Sequence, residues 1–382
     1  MSRLVILTEI IAPYRIPIFN ALAARGDILP HVIFLSENDP SLRQWRVYKD
    51  EIKFSYEVLP SWRRRVGKYN LLLNRHVSAA LRRAHPDAIL CGGYSYLASW
   101  QAALWARRHS VPLLLWSEST ARDQRRRHAP VEFMKRRFRR LCRAFVAAGK
   151  SSREYLLALG APDRSVFIAP DAVDVPFYST QSDKARRHAD EIRPRHGLPS
   201  RYFLFAGRLV KEKGIFDLLA AYATLDESTR SQIGLVFAGA GPMLSELVQR
   251  AAGIRPGVVK FCGWVHREQI PELYALAEAL VFPTYTDTWG LVVNEAMSCG
   301  LPVIASEVAG CVPDLVEDGW NGFVVPPRAV ESLARTMQML VRQPELAAQM
   351  RSRSVQRIQA YTPEAWADGL MQAVAFALDR TE

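Results

Sequence analysis

Two acidic residues, Asp287 and Glu295, stand eight positions apart in the stretch PTYTDTWGLVVNEAMSCGLPVIAS (283–306). The apolar run between them and the glycine that closes it, Gly300, predict a helix. Amides in the first turn of a helix have no partner within it, so those at 289–291 can bind an anion or a sugar hydroxyl. A carboxylate one turn further on accepts two hydroxyl groups at once, which is the chemistry that holds a vicinal diol.

Two cations occupy a second predicted strand–loop–helix unit, AGRLVKEKGIFDLL (206–219). Arg208 and Lys213 lie five positions apart between the strand and the helix, where they can clamp a diphosphate. A third turn, AGAGP (238–242), carries glycines that permit backbone to approach a ligand closely. Three units of this kind in one half of the chain predict a phosphate- and sugar-binding site.

Each feature also has an ordinary structural explanation when it is taken alone. Asp287 is equally consistent with a turn or helix-capping residue, and Glu295 with a solvated acid on a helix surface. Arg208 and Lys213 are equally consistent with exposed surface cations. The functional interpretation therefore depends on the three units occurring together.

Apolar runs alternate with amphipathic ones along the 382 residues, a length that favours two domains. The runs are apolar on both faces, as in parallel strands covered by helices. The predicted strands are 4–10, 31–37, 87–93, 112–119, 144–150 and 166–171 in the first half, and 202–209, 234–241, 258–264, 279–283, 302–306 and 322–327 in the second. We predict an α/β fold of two doubly wound domains with a ligand cleft between the carboxyl ends of their strands.

The domain boundary is predicted at residues 176–200, which are polar, charged and interrupted by prolines. This composition indicates a linker with a surface helix. We therefore expect an N-terminal domain over 1–175 and a C-terminal domain over 201–363. A closing helix at about 364–382 is expected to pack back on the N-terminal domain.

The overall composition favours an anionic partner, because the formal charge is +12. The five cysteines are scattered without a C-x-x-C pair, which indicates reduced thiols in a cytosol and no zinc site. The N-terminal stretch lacks the features of a signal peptide, and no apolar run approaches the roughly 20 residues that span a bilayer. We expect a cytoplasmic protein that meets a membrane only at its surface.

The second half of the chain resembles the GT-B glycosyltransferases of family 4, which are retaining nucleotide-sugar transferases. The blocks AGRLVKEKG, FAGAGP, VKFCGWV…IPELYALAEALVFPT and DTWGLVVNEAMSCGLPVIAS carry the resemblance, in the family's order, over 202–327. IAPDAVD (168–174) is similar to the family's interdomain PNGVD segment, with Asp171 and Ala172 in place of Asn-Gly. The implied fold is GT-B, with two Rossmann-like domains facing a central cleft.

The resemblance also implies roles for individual residues. Arg208 and Lys213 would hold the donor's diphosphate, Glu295 its ribose, and Asp287 a hydroxyl of the transferred sugar. The remaining donor contacts would be Trp289, Gly290, Leu291, Gly239, Gly241 and Val265. The donor would be a UDP- or GDP-linked sugar, with no cofactor and no metal required. The family usually has Glu at position 287, and the shorter Asp retracts the carboxylate by roughly an ångström, which leaves the donor sugar open.

The N-terminal half resembles the family less closely. EIIAPYRIPIFNAL (9–22) is similar to the PYR-x-P-x-F opening of a subset of the family. Arg15, with Tyr14 beside it, precedes a helix expected near Pro17 and is a candidate contact for acceptor or phosphate; a solvent-facing loop arginine is the alternative. Glu118 stands where many relatives carry His, and is either an acceptor contact or a helix cap.

Two strongly basic segments, 122–143 and 61–68, lie in the same half of the chain. In the first, Phe133, Met134 and Phe138 are interleaved with arginines. Such a stretch can bind anionic lipid headgroups, with about 1 kcal/mol per cation near the surface. The alternative is a solvated helix whose apolar residues pack inward. No nucleic-acid partner is expected, because no nucleic-acid-binding pattern is present.

The expected function is a retaining, metal-independent transfer of sugar from a nucleotide-diphosphate sugar to an envelope polysaccharide, lipopolysaccharide or lipid-linked acceptor. The expected location is the inner face of the cytoplasmic membrane. Three alternatives remain open: a nucleotide-sugar epimerase on the same fold, a natural-product glycosyltransferase, and a non-catalytic nucleotide-sugar-binding membrane protein.

Overall fold

A computed structural model describes residues 1–39, 46–66, 69–122 and 129–379. The chain divides into two compact units. The first comprises Met1–Val173 and Thr362–Glu382, and the second comprises Asp174–Tyr361.

A parallel sheet of seven strands forms the centre of the first unit, as far as the described residues show. The strands of this unit are β1 (Ser2–Thr8), β2 (Ile28–Phe34), β3 (Ser55–Val58), β4 (Ser61–Val66), β5 (Tyr69–Asn74), β6 (Ala88–Cys91), β7 (Leu113–Ser117), β8 (Ala144–Ala147) and β9 (Val166–Ile168). The order in the sheet is β3-β2-β1-β6-β7-β8-β9, while β4 and β5 form a separate antiparallel hairpin. The helices that follow these strands are α1 (Ile16–Ala24), α2 (Val77–Ala84), α3 (Leu97–Arg108), α4 (Ala129–Arg139) and α5 (Lys150–Ala158).

The second unit has the same architecture around a parallel sheet of six strands. Its helices and strands, all within described residues, are α6 (Val175–Arg187), α7 (Ala189–His196), β10 (Tyr202–Ala206), α8 (Ile215–Thr224), α9 (Glu227–Gln232), β11 (Gly234–Ala238), α10 (Leu244–Ala251), β12 (Val259–Gly263), α11 (Ile270–Leu276), β13 (Ala279–Phe282), α12 (Leu291–Ser298), β14 (Val303–Ser306), α13 (Val312–Leu315), β15 (Gly322–Val325), α14 (Val330–Arg342) and α15 (Pro344–Ile358). The strand order is β12-β11-β10-β13-β14-β15.

The predicted α/β class with two Rossmann-like parallel sheets is confirmed. Strands β10, β11, β13 and β14 are buried along their whole length, which explains why they are visible as continuous apolar runs. The short edge strand β3 and the hairpin β4–β5 were not predicted. Strand β3 has only half-buried and exposed residues, and β4 has the sequence SWRRRV, so neither resembles a buried strand.

The segment 176–200 was expected to be a linker with a surface helix, but in the structure it is helical over most of its length. It contains most of α6 and all of α7, and it belongs to the second unit. Helix α6 packs on α11 and α12 through the buried side chains of Val175, Tyr178, Ser182 and Ala185, which share one helix face. Pro176 lies in the first turn of α6, where the missing N–H costs no hydrogen bond.

The C-terminal helix, α16 (Pro363–Leu378), completes the core of the first unit. Trp366 is fully buried, with its ring centroid 5.7 Å from that of Phe19 and 5.3 Å from that of Trp116. Gly369 lies so close to β9 that an added Cβ would be 2.1 Å from the carbonyl oxygen of Ile168. The first unit is therefore built from both ends of the chain. Within the described residues, no helix is both long enough and apolar enough to cross a membrane.

We predict that Trp366→Ala lowers the free energy of unfolding by about 3–5 kcal/mol, because it leaves a cavity among buried aromatic rings. Thermal and urea unfolding followed by circular dichroism would measure the change. Gln372→Ala, at an exposed position of α16, is the control and should stay within about 0.5 kcal/mol of the wild type. Equal stability of Trp366→Ala and wild type would contradict a core role for this helix.

Candidate active site

The carboxyl ends of β10 and β13 meet at a topological switch point of the second unit. The chain runs outward from β10 through β11 to β12, then returns to β13 on the other side of β10. Open α/β sheets bind ligands at such points, because the loops on the two sides diverge and leave a crevice. The loops after these two strands, 207–214 and 283–290, carry the basic and acidic residues singled out in the sequence.

Lys213 and Asp287 form an ion pair at this switch point. Their side chains are 22% and 18% exposed, and the Lys213 Nζ atom lies 5.5 Å from the ring centroid of Phe282. The two loops are joined by the carbonyl of Glu212, which accepts hydrogen bonds from the amide of Tyr285 at 2.8 Å and the hydroxyl of Thr284 at 3.1 Å. The structure thus brings together two of the predicted catalytic residues.

Arg208, the third of these, lies on the same loop as Lys213 and is exposed. Its guanidinium makes no hydrogen bond or ion pair within the described part of the chain. The loop backbone is fixed against the next loop, because the amides of Gly207 and Leu209 donate to the carbonyls of Ala238 and Ala240, each at 2.9 Å. Arg208 is therefore a cation with open donors on a well-supported loop.

Gly239 and Gly241 are explained by contacts inside the protein. A Cβ at Gly239, which has φ near 150°, would lie 1.8 Å from the carbonyl oxygen of Gly207, and one at Gly241 would lie 2.3 Å from that of Leu209. Both glycines therefore let the loop after β11 approach the loop that carries Arg208. The predicted nucleotide contact at these positions remains a prediction. Val265, also predicted to border the nucleotide, is half-buried after β12.

The first turn of α12 supplies fewer open amides than the sequence suggested. The amide of Trp289 donates to the Asp287 carboxylate at 3.3 Å, and its buried indole Nε1 donates to Asn294 at 2.9 Å. Gly290 precedes the helix with φ 107°. Among the described residues, the amides of Gly290 and Leu291 have no acceptor. These two amides remain available for a ligand.

Two tyrosine hydroxyl groups interact with Glu295 in α12. The Tyr274 hydroxyl donates to its Oε2 atom at 2.8 Å, and the Tyr178 hydroxyl interacts electrostatically with the same carboxylate. Burial raises the pKa of Glu295 above its ordinary value, while the two tyrosine hydroxyls and the charge of Arg267 oppose that rise. The sequence prediction missed these three partners. Tyr274 lies inside a family-like block, but Tyr178 lies in the segment that was expected to be a linker.

A second polar cluster lies at the carboxyl ends of strands in the first unit. Arg15 follows β1, and its guanidinium donates to Glu118 Oε1 at 2.8 Å and to the hydroxyl of Thr8. The same guanidinium lies 4.5 Å from the ring centroid of Trp116 and 5.8 Å from that of Tyr14. Arg15 therefore points into the unit, and α1 begins directly after it at residue 16.

Asp171 is a member of this cluster that the sequence prediction left out. It is 7% exposed, and burial raises its pKa well above the ordinary value, a shift that Glu118 increases and Arg15 opposes. Asp171 follows β9 in the family-like segment IAPDAVD, which is the signal that could have identified it. Two carboxyl groups thus share the neighbourhood of a single guanidinium.

The basic segments have both inward and outward cations. Residues 67, 68 and 123–128, which include three of the arginines, lie outside the described residues. Arg63 points inward to Asp39 and Glu9, and Lys135 donates to Glu132 at 2.9 Å. The exposed residues from Val131 onward are Val131, Phe133, Met134, Arg136, Arg137, Arg140 and Arg143.

The apolar residues of this segment also divide between the interior and the surface. Phe138 is fully buried, as the alternative of an inward-packing helix face requires. Phe133 and Met134 are 67% and 42% exposed, which that alternative does not explain. A cavity of about 610 Å³ near the end of α4 is lined by four arginines, one acid, Asp379, and a mixture of polar and apolar residues. The arginines are Arg139, Arg140, Arg143 and Arg164.

No group of three or more His, Cys, Asp or Glu side chains suited to hold a metal ion occurs in the part of the chain that the structure describes. The five cysteines are free thiols.

Family models match both halves of the chain. Residues 18–177 match the family described as Glycosyltransferase Family 4, and residues 188–357 match Glycosyl transferases group 1. An alpha-D-kanosaminyltransferase of Streptomyces kanamyceticus is 31% identical over 254 residues, which cover 65% of this chain and 56% of the relative. An O-antigen chain mannosyltransferase B of Escherichia coli is 36% identical over 137 residues, which cover 35% of each chain. The chain thus spans about half or less of the length of these relatives.

A solved structure shares the fold over nearly the whole chain. The crystal structure of HepE from Anabaena in complex with UDP superposes with a TM-score of 0.77. The sequences are 19% identical, and the match covers 98% of this chain and 99% of HepE. The fold of this chain is therefore of the GT-B type.

We predict that Arg15→Met lowers the free energy of unfolding by about 3 kcal/mol near neutral pH, because it leaves Glu118 and Asp171 without their shared cation. A carboxyl group with a raised pKa binds its proton more tightly in the folded state, so the loss should shrink as the pH falls. Urea unfolding at about pH 8 and about pH 5 would measure both effects.

Arg25→Met is the control for this prediction, because Arg25 pairs with Asp27 and Asp368 at the surface of the same unit. Exposed pairs contribute little, so this variant should show a small loss at both pH values. A loss for Arg15→Met that does not depend on pH would contradict the electrostatic explanation.

Proposed function

We propose that this chain, whose two halves match glycosyltransferase families, transfers a sugar from a nucleotide-diphosphate sugar to an acceptor hydroxyl. The observation that carries the proposal is the Lys213–Asp287 pair at the switch point of the second unit, with Arg208 on the same loop as Lys213 and open amides at the start of α12. Cations and helix amides suit a diphosphate, and a carboxylate suits a sugar hydroxyl.

The cations would act on the leaving group. Negative charge grows on the diphosphate as the glycosidic bond breaks, and a preorganised donor aimed at that charge is worth about 3 kcal/mol. Arg208 has open donors, and the ammonium group of Lys213 has three, of which one bonds Asp287. Lys213 can therefore hold the carboxylate and a phosphate oxygen at the same time. This arrangement supports a transfer that needs no metal ion.

The carboxylates would orient the donor. Asp287 would bind a hydroxyl of the transferred sugar, and Glu295 the ribose of the nucleotide. We further propose that the donor is a UDP- or GDP-linked sugar and that the anomeric configuration is retained. The HepE crystal structure, which contains UDP, supports a uridine nucleotide. The resemblance to family 4 supports retention of the anomeric configuration.

The acceptor would bind in the first unit. Arg15 and Tyr14 lie at the cluster with Glu118, whose side chain is 32% exposed and can accept from a hydroxyl group. An envelope polysaccharide, a lipopolysaccharide or a lipid-linked saccharide is the acceptor class that we propose. The E. coli relative, named for the O-antigen chain, supports this class. The Streptomyces relative supports a natural-product acceptor as the second candidate.

An anionic membrane surface is the proposed location of this acceptor. Phe133 and Met134 are exposed apolar residues on α4, and exposed arginines lie beside them in the sequence. A helix surface of this composition can insert its apolar side chains between headgroups while its cations contact phosphates. The arginine-lined cavity near the end of α4 has room for such a phosphate group.

We predict that one of UDP, GDP, ADP and dTDP binds with micromolar affinity and that chelator does not change the affinity. Arg208→Ala should weaken binding at least about tenfold, or 1.4 kcal/mol, because it removes a cation from the diphosphate. Isothermal titration calorimetry with and without EDTA would measure both. The control is Arg250→Ala, an exposed arginine of the same unit paired with Glu246.

The outcomes separate the alternatives. If none of the four nucleotides binds, the transferase proposal fails. Binding without any turnover of the matching sugar nucleotides, in the presence of membrane-lipid and polysaccharide acceptors, would favour the non-catalytic binding protein. Conversion of the donor to an epimer would favour the epimerase. Transfer to an acceptor, with the anomeric configuration determined by NMR, would support the proposal.

We predict that the protein sediments with phosphatidylglycerol vesicles and not with phosphatidylcholine vesicles. Replacing Arg136 and Arg137 together by Glu should weaken this binding at least about tenfold, since each surface cation contributes about 1 kcal/mol. The matched control replaces Arg250 and Arg335 of the second unit by Glu, so that the net charge changes by the same amount. Equal loss in both double variants would indicate an unspecific charge effect and contradict the proposed surface.

A further inference from the structure

Glu295 is surrounded by side chains from three neighbouring parts of the second unit. Helix α6 contributes Tyr178, α11 contributes Tyr274, and the segment before α11 contributes Arg267. Tyr178 is 6% exposed and Tyr274 is fully buried. The Tyr274 hydroxyl donates to the carboxylate at 2.8 Å, and the Tyr178 hydroxyl interacts with the same carboxylate. Two phenol groups therefore act on the carboxylate from the protein interior, where water does not replace them.

We infer that Tyr178 and Tyr274 are positioning residues that orient the Glu295 carboxylate for the two hydroxyl groups of the donor's ribose. This inference rests on the proposed function, since it assigns Glu295 to the nucleotide. It adds two residues, one of them from a segment whose sequence gave no sign of a site.

The hydrogen-bonding capacity of the carboxylate fits a diol. An ionised carboxylate has about four acceptor positions. The Tyr274 hydroxyl occupies one of them and the Tyr178 hydroxyl can occupy a second, which leaves two for the 2′- and 3′-hydroxyls of a ribose. Because the tyrosine rings are buried, they also limit the rotation of the carboxylate. The free acceptor positions are thereby fixed in direction before the nucleotide arrives.

The same two hydroxyl groups oppose the effect of burial on the charge of Glu295. Burial favours the neutral acid, which carries a proton on one oxygen and accepts hydroxyl groups less well. The tyrosine hydroxyls and Arg267 favour the ionised form. Cys299, at the other end of α12, is the further titratable group that interacts with this carboxylate. Removing a tyrosine hydroxyl should therefore shift protonation of Glu295 to higher pH.

A purely structural role for the two tyrosines predicts a different outcome. Helix α6 has other bonds to the end of α12, because Arg186 donates to the carbonyl of Cys299 and the Cys299 thiol lies 3.5 Å from the carbonyl of Tyr178. Tyr→Phe keeps the ring and these bonds. A structural defect would weaken every ligand of the site, whereas a lost orientation would weaken only ligands that have ribose hydroxyls.

The test compares UDP with 2′,3′-dideoxy-UDP by calorimetry, with GDP and its dideoxy analogue as the pair if UDP does not bind. We expect Tyr178→Phe and Tyr274→Phe each to weaken the ribonucleotide about fivefold to tenfold and to leave the dideoxy analogue unchanged. Lowering the pH should weaken ribonucleotide binding in the wild type, and the pH at which the affinity begins to fall should be higher in both variants. Tyr222→Phe is the control, because this buried hydroxyl donates to the carbonyl of Ile233 at 2.8 Å.

The Glu295→Gln variant helps to distinguish failure of this inference from failure of the proposed function. If this variant still prefers the ribonucleotide as strongly as the wild type, or if the Tyr→Phe variants weaken both analogues equally or neither, the inference is overturned while the proposed function stands. If the wild type binds no nucleoside diphosphate at all, the proposed function itself fails. Loss of ribose preference in Glu295→Gln and in both Tyr→Phe variants supports the inference.

Discussion

The parallel pairing of β10 with β13 is the constraint on which the second-unit site depends. Phe203 lies opposite Ala279 and Leu204 opposite Leu280, so the two strands end side by side although the sequence separates them widely. The loops that follow must then share one edge of the sheet, and Glu212 joins them through its carbonyl. The Lys213–Asp287 pair is a consequence of this register, because a different neighbour for β10 would place the two side chains far apart.

The two carboxylates of this site are stabilised in different ways, and the difference suits different ligands. Asp287 is paired with an ammonium group, so its charge is balanced and does not repel a diphosphate nearby. Glu295 is held by neutral phenols, with Arg267 as the charge that opposes its protonation, and it keeps accepting capacity for hydroxyl groups. A cation placed directly on Glu295 would have taken that capacity away.

The sequence predicted the parts of the fold whose local pattern and tertiary role agree. Strands buried on both faces, such as β10 and β11, are recognisable because burial demands continuous apolar runs. The residues of the loops at their carboxyl ends, among them Arg208 and Asp287, could be selected because their types and spacing repeat a family's blocks. Strand β3 could not, since an edge strand carries few apolar residues. A surface helix was expected within 176–200, but the buried face of α6 was not, because most residues of this helix are polar.

What the sequence could not provide are the contacts between distant segments. Nothing in the sequence near Tyr178 points to Glu295, and nothing near Gly239 points to the carbonyl of Gly207 that excludes a side chain there. The inward direction of Arg15 is another contact of this kind, because it depends on the positions of Trp116 and Glu118 in and just after β7. Such contacts follow from topology, which the pattern of one segment does not contain.

The surroundings of Arg15 and Arg208 differ, and the difference bears on the two roles that the sequence left open for Arg15. Its guanidinium already bonds Glu118 and Thr8, lies over the ring of Trp116 and is near the buried Asp171, so its charge is balanced within the first unit. Binding a phosphate there would require the phosphate to compete with two carboxyl groups at close range. Arg208 is exposed and has no such partner among the described residues. We therefore expect the diphosphate role to lie with Arg208 and Arg15 to act through the carboxylate that it orients.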